Sequence, residues 1–256
     1  MEELLDEKKL EMKIKEMYHK VALFPFESYH IEVGRKLAEK LGYSTQDLEK
    51  IPKEAVESFA GVGNPFDYAD IKEGEVVLDL GSGSGMDSFI AAMKVGKSGR
   101  VYGVDITVTQ LDNAEKVRNR IKINNIEFHE ANISSLPFED NSIDVVISNN
   151  VINLSPEKLD VFREISRVLK PNGRLAVSDV LSEKKLGKKV KSDADLWAAC
   201  VAGATDQNEY RKIIDQVGME VIDIHENPQY QFQSESAIAA SKEFGVKSVT
   251  YLAKRK

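Results

Sequence analysis

The sequence predicts an α/β fold: a mainly parallel, seven-stranded sheet with helices on both faces, preceded by an N-terminal helical extension. Three observations predict it. Short apolar runs alternate with longer helix-like segments from Gly74 onward, the pattern of strand–helix–strand crossovers. The run Val76–Ser88, VVLDLGSGSGMDS, passes from an apolar stretch through Asp79 into Gly81, Gly83 and Gly85, then into a helix-like segment. That is a buried strand turning tightly into a helix, with glycine where backbone must approach a ligand. A second apolar run, Arg100–Asp105, then ends in another carboxylate about 20 residues on, the spacing at which doubly wound folds hold the ribose of a nucleoside.

The elements follow in order. A charged helix is expected over about Glu2–Tyr18, a second over about Tyr29–Leu41, and a short third, Thr45–Lys50, with Ser44 as its cap. The aromatic residues Tyr18, Phe24, Phe26 and Tyr29 lie between the first two. They read as packing against the rest of the chain, with a lid over the active site as the functional alternative. Residues 1–65 are taken as an N-terminal helical segment or lid and 66–256 as the main domain. Beyond the glycine turn come helix Asp87–Val95, strand 100–105, helix Thr109–Ile123, and strands 126–130 and 143–148. Helix Pro156–Leu169 follows, with Ser155 as N-cap and Lys158 and Arg163 on its wet face. Pro171-Asn-Gly173 breaks the chain before strand Arg174–Val180, and Met219–His225 with Lys247–Ala253 complete the sheet as an antiparallel pair. The stretch Leu181–Thr205 interrupts the core at a strand end and is read as a substrate-side insertion, about 181–205.

Composition narrows the function. The 256 residues suffice for one sizeable core. A net charge of −7 disfavours nucleic acid as partner, and the lysines 184, 185, 188 and 189 read as a solvated loop. One cysteine, Cys200, excludes an intrachain disulfide and a cysteine metal cluster, while His19, His30, His129 and His225 lack ligand spacing; no metal is expected. No apolar stretch approaches the roughly 20 residues of a membrane span and the N-terminus lacks a signal-peptide core, so a cytoplasmic protein is expected, without membrane or nucleic-acid partners.

Spacing separates the nucleotide loops. A P-loop needs Gly-Lys-Ser/Thr, which does not follow these glycines. A dinucleotide fingerprint needs Gly or Ala where Met86 stands, which disfavours a nicotinamide oxidoreductase. The remaining pattern, Asp79-Leu-Gly81-Ser-Gly83-Ser-Gly85, resembles the first motif of the class I S-adenosylmethionine-dependent methyltransferases. The resemblance implies their Rossmann-like fold, S-adenosylmethionine as cofactor and S-adenosylhomocysteine as product. It implies binding by Asp79, Gly81, Ser82, Gly83 and Gly85, and by Asp105 at the ribose with Ile106 and Gln110 beside it. Asn132 would meet the adenine amine, Ile133 the ring, and Asn149 the methionine end.

A closer resemblance spans about Gly42 to Asp215, carried by GYSTQDLEKIPKEAVESFAGVGNP (42–65), the glycine loop, ISNNVINLSPEKLDVFREISRVLKPNG (147–173) and LWAACVAGA (196–204). These are similar to the arsenite methyltransferase branch, related to the ubiquinone/menaquinone biosynthesis methyltransferases. In that branch thiolates from separate segments hold trivalent arsenic, a soft centre that prefers sulfur. This chain has Val62 and Asn150 where two of those cysteines stand, and retains Cys200. One thiol does not make a multidentate site. The expected acceptor is therefore a small molecule other than arsenite, in a pocket lined by Val62, Asn150, Trp197 and Cys200, with Asn149 and Asn150 orienting a small polar or carbonyl-bearing group. Arsenite held by Cys200 plus external thiols is the alternative.

The catalytic residue stays unassigned. A sulfonium methyl is already activated, so a base is needed only for an acceptor that must lose a proton, and Tyr29, His30 and Asp179 are the candidates. A non-catalytic S-adenosylmethionine-binding or regulatory module is the reading from another class, and a homodimer is left open.

Overall fold

The structure is a computed structural model that describes residues 7–27, 29, 31–191, 193, 196–197 and 200–256. Eight strands form one sheet: β1 (Val76–Leu80), β2 (Arg100–Asp105), β3 (Ile126–Glu130), β4 (Ile143–Asn149), β5 (Leu169–Ser182), the two-residue β6 (Thr205–Asp206), β7 (Met219–Glu226) and β8 (Lys247–Arg255). The order is β3-β2-β1-β4-β5-β8-β7, with β6 beside β5. Strands β1 to β5 pair in parallel, whereas β8 runs antiparallel to both β5 and β7. The chain leaves β1 toward β2 and β3, then returns past β1 to β4. A crevice opens at that reversal, at the carboxyl ends of β1 and β4.

Side-chain alternation builds the two faces. On one, Val77, Val101, Val145 and Ile147 pack with Phe89 and Ile90 of α6 (Met86–Val95) and Val117 of α7 (Val108–Ile121). On the other, Leu78, Leu80, Val146 and Leu175 meet Phe162 and Ile165 of α8 (Lys158–Val168), and Tyr210 of α10 (Gln207–Gln216). Phe89, Phe162 and Leu78 are fully buried, worth roughly 1.5–3 kcal/mol each in apolar transfer.

The N-terminal residues form α1 (Glu7–Leu23), α2 (Arg35–Lys40), α3 (Thr45–Lys50), α4 (Lys53–Glu57) and α5 (Phe66–Ala69). Helix α1 lies along α7, held by three side chains of the latter. Gln110 Nε2 donates to the Tyr18 carbonyl (3.2 Å), Asn113 Nδ2 donates to the Ala22 carbonyl (3.1 Å), and His19 Nδ1 pairs with Thr109 Oγ1 (2.6 Å).

Several boundaries move. Helix α1 continues five residues past the expected end at Tyr18, to Leu23, and α2 begins only after Gly34, whose φ of 84° breaks the preceding chain. Ser44 caps α3 by position but makes no side-chain bond. Helix α8 starts at Lys158 rather than Pro156: Ser155 Oγ accepts the Glu157 N–H (3.2 Å), one step before the helix. Lys158 is buried instead of wet, although Arg163 is exposed. Pro171-Asn-Gly173 does not end a segment. It loops out within β5, since Ile143 pairs with Leu169 and Val145 already with Arg174, while Asn172 adopts φ 67°. Two helices had readable signals that the sequence reading passed over. Asp206 caps α10 through the Asn208 and Glu209 amides. Ser234 and Gly245 bracket α11 (Glu235–Phe244), after α9 (Lys188–Lys191).

Candidate active site

A cavity of about 270 Å³ occupies the crevice. Its floor is the glycine loop. Gly81 and Ser82 donate to the Val104 carbonyl (2.8 and 2.9 Å), tying the loop to β2. Gly81, at φ 69°, has no room for a side chain: a Cβ would strike Val151. At Gly83 the nearest heavy atom to a Cβ is Gln110 Oε1 at 3.8 Å, so a small side chain there would project toward the cavity. Asp105, at the end of β2, accepts the Gly83 N–H on Oδ2 (3.0 Å) and the Thr107 N–H on Oδ1 (2.8 Å). The two features that the spacing singled out are thus one hydrogen-bonded unit.

Three aspartates, Asp79, Asp87 and Asp105, line the floor of this cavity, with Glu11 and Glu157 also in its lining. Burial makes Asp79 and Asp105 weaker acids, pushing their pKa above the ordinary carboxylate value, and raises that of Asp87 to about 6. Asp79 accepts from Ser88 Oγ (2.6 Å); Asp87 accepts from the Tyr43 hydroxyl (2.8 Å) and from Asn149 Nδ2 (3.3 Å). Among the described lining residues Lys8 is the one Lys or Arg, and it is exposed at the mouth. Such a floor favours a cationic ligand.

Of the residues expected at the cofactor, Asp79, Gly81, Ser82, Gly83, Asp105, Ile106, Gln110, Asn132, Ile133 and Asn149 all line the cavity. Gly85 does not; a Cβ there would crowd Phe128 and Phe89, so it serves packing. Of the residues expected at the acceptor, Asn150 lines the cavity. Val62, Trp197 and Cys200 stand behind its wall, in one apolar cluster with Leu10, Ile14 and Leu154. The three positions 62, 150 and 200 do converge: the Cys200 thiol is hydrogen-bonded to Asn150, Asn153 and Tyr18, and burial pushes it up to about 12.

The two asparagines are not free to orient an acceptor, as the sequence suggested. Asn149 Oδ1 accepts the Val62 N–H (2.8 Å), and its Nδ2 donates to Tyr43 Oη (3.0 Å) and the Gly63 carbonyl (2.9 Å). Asn150 Nδ2 donates to the Ala60 carbonyl (3.0 Å) while Oδ1 accepts from Asn153 Nδ2 (3.2 Å). Both amides tie the segment after α4 to the end of β4.

The base candidates fare no better. Tyr29 Oη donates to the Lys20 and Phe24 carbonyls (3.0 and 2.9 Å), away from the cavity lining. Asp179 is buried behind it, accepting the Asn153 and Val180 amides (2.9 and 2.8 Å). His30 lies outside the described residues. Among the described residues no cluster of His, Cys, Asp and Glu could hold a metal ion, and no helix is long and apolar enough to cross a membrane.

Residues 71–218 match a family model described as a methyltransferase domain. An arsenic(III) S-adenosylmethionine methyltransferase from Chlamydomonas reinhardtii has a similar structure, with TM-score 0.71 and 36% identity over 82% of this chain and 72% of that one. The chain belongs to the class I S-adenosylmethionine-dependent methyltransferases. The arsenite methyltransferase of Halobacterium salinarum is 41% identical over 187 residues, 73% of this chain and 48% of the relative. The ubiquinone/menaquinone biosynthesis C-methyltransferase UbiE of Escherichia fergusonii is 32% identical over 181 residues, 62% of this chain and 72% of that protein. This methyltransferase chain spans about half the length of the curated arsenite methyltransferases it matches.

The residues present fit the family's cofactor. Two buried carboxylates, Asp79 and Asp87, and the half-buried Asp105 face a cavity whose described lining carries no buried Lys or Arg, which suits a ligand bearing a sulfonium and an ammonium. Ser82 Oγ is buried on the cavity wall with no partner of its own. Sequence reasoning missed Tyr43, Asp87 and Lys158. No spacing signals Tyr43 and Asp87, because each acquires its role from a segment distant in the chain, while Lys158 is turned inward onto the nearby Asn153 and Ser155 carbonyls beside Trp197.

Proposed function

We propose that the chain transfers a methyl group from S-adenosylmethionine to a small-molecule acceptor other than arsenite. The observation that carries this reading is the hydrogen bond from the Gly83 amide to Asp105, which joins the glycine turn and the nucleoside-type carboxylate in one anionic cavity. When bound, S-adenosylmethionine supplies a methyl group on a sulfonium that leaves as a neutral thioether. The ribose hydroxyls fall to Asp105, adenine to Asn132 and Ile133, and the methionine end to the region of Asp79 and Asp87 beneath β4. Leu10, Ile14 and Tyr18 of α1 roof the cavity, excluding water and limiting the approach of a nucleophile.

Arsenite is the second reading, favoured by the names of the 41% and 36% identical relatives. Against it stands the thiol count. The single cysteine is fully buried and, with burial raising it to about 12, stays a neutral thiol at physiological pH. Val62 and Asn150 add no soft ligand.

The test is S-adenosylhomocysteine release with arsenite and glutathione, wild type beside Cys200→Ser, together with calorimetric S-adenosylmethionine binding. Binding without arsenite-dependent release supports the proposal. Release that Cys200→Ser abolishes moves the assignment to arsenite, and absence of binding removes the methyltransferase reading.

A further inference from the structure

The cofactor assignment orients the cavity. Asp105 and Asn132 follow β2 and β3, so the nucleoside end lies over those strands and the reactive end over β4. The lining also includes Asn150, Val151 and Leu154, which follow β4, and Leu10, Ile14 and Tyr18 of α1. The last three recur every fourth residue on one face of α1, the stripe a helix turns toward a core. Yet this stripe covers a cavity, and the bonds from α7 to the Tyr18 and Ala22 carbonyls fix its position.

The chemistry of this end is neutral. The charged side chains of the lining are three aspartates at the cofactor end, and Lys8, Glu11 and Glu157 exposed at the mouth; Asp179 lies behind the wall, bonded to the Asn153 and Val180 amides. The polar groups of this end are already engaged. Asn150 is bonded at both amide atoms, and the Tyr18 hydroxyl meets Cys200. Leu10 and Ile14 are buried, and they share one apolar cluster with Leu154, Val62, Trp197 and Cys200. A charged acceptor placed here would lose its hydration and find no counter-charge among the side chains of this wall. An apolar body would replace water with aliphatic contact.

We infer that the acceptor is a neutral organic molecule with an apolar body, selected by the face of α1 that carries Leu10, Ile14 and Tyr18. This rests on the methyltransferase reading and narrows it to a substrate class. The N-terminal helix is then a specificity element, and Ile14, at the middle of the stripe, sets the size of the chamber.

Calorimetry in saturating S-adenosylhomocysteine tests the inference, with phenol as the neutral probe and benzoate as its charged counterpart. Phenol is expected to bind wild type at least about tenfold more tightly than benzoate. Ile14→Trp, which fills the chamber, should weaken phenol at least about tenfold while S-adenosylhomocysteine affinity stays within about threefold. Ile14→Ala, which enlarges it, should shift preference from phenol toward 2-naphthol by about fivefold or more, and decides the matter if the Trp variant does not fold. Benzoate binding as tightly as phenol, or affinities indifferent to Ile14, overturns the inference and leaves the methyltransferase reading standing. S-adenosylhomocysteine that does not bind wild type overturns both.

Discussion

The Tyr43 hydroxyl donates a 2.8 Å hydrogen bond to Asp87 Oδ1, joining the chain just before α3 to the first turn of the helix that follows the glycine loop. Asn149 completes the arrangement by donating to Tyr43 Oη. The N-terminal segment is thereby fastened to a carboxylate that lines the cavity, forty-four residues along the chain from its partner.

Tyr43→Phe removes a donor from a buried carboxylate and should cost about 1–3 kcal/mol of stability. Because that donor favours the ionised form, Asp87 should also titrate higher than about 6. Urea unfolding measures the first effect. The midpoint of cofactor affinity against pH measures the second, and a midpoint unmoved or shifted downward contradicts the assigned bond.

The pH dependence has opposite signs for folding and for binding. Asp87 is raised from 3.8 to about 6, so between those values the folded chain holds its proton more tightly than the unfolded chain. Stability from this group is fully present below about pH 3.8 and is lost as pH rises through about 6; Asp79 and Asp105 act in the same direction. Binding of the cationic cofactor needs the ionised carboxylates and should weaken as pH falls through about 6. Scanning calorimetry on either side of that value, with and without S-adenosylmethionine, should show the ligand's stabilisation growing with pH.

Asp105→Ala should weaken S-adenosylmethionine binding by about 1–3 kcal/mol, read by titration calorimetry. The carboxylate also holds the Gly83 and Thr107 amides, so Asp105→Asn, which keeps an acceptor oxygen, should lose less. Equal affinity for wild type and Asp105→Ala would falsify the ribose assignment. Gly83→Val should prevent binding by intruding on the cavity and by placing a β-branched residue at φ 53°.

Lys158 offers a separate test. Its ammonium donates to the Asn153 and Ser155 carbonyls (3.1 and 2.8 Å) and sits 5.6 Å from the centre of the Trp197 ring. Burial lowers it to about 8, against the attraction of Asp179. Lys158→Met keeps the apolar stem but strands those carbonyls, at an expected cost of about 1–3 kcal/mol. Trp197 is the sole tryptophan, so its emission should change in the folded variant; unchanged stability and emission would refute the contact.

The sequence alone determined seven of the eight strands and the glycine-loop floor of the cavity, whereas the two-residue β6 was not expected. Strands β2 and β3 have the expected limits, and Gly81, Gly83 and Asp105 stand where their spacing put them. These features are local: strand periodicity, glycine at close backbone approaches, and a carboxylate at a strand end need only neighbouring residues to be legible. Tertiary structure decided the rest. It buried Lys158, whose position after Ser-Pro reads as solvent-facing, with its ammonium beside the Trp197 ring. It spent the amides of Asn149 and Asn150 on the Val62 N–H and on the carbonyls of Ala60 and Gly63. It also set Val62 and Cys200 behind the cavity wall and turned α1's apolar stripe onto the cavity. Hydrogen bonds and contacts between segments so far apart arise from packing geometry, and no pattern within a single segment records them.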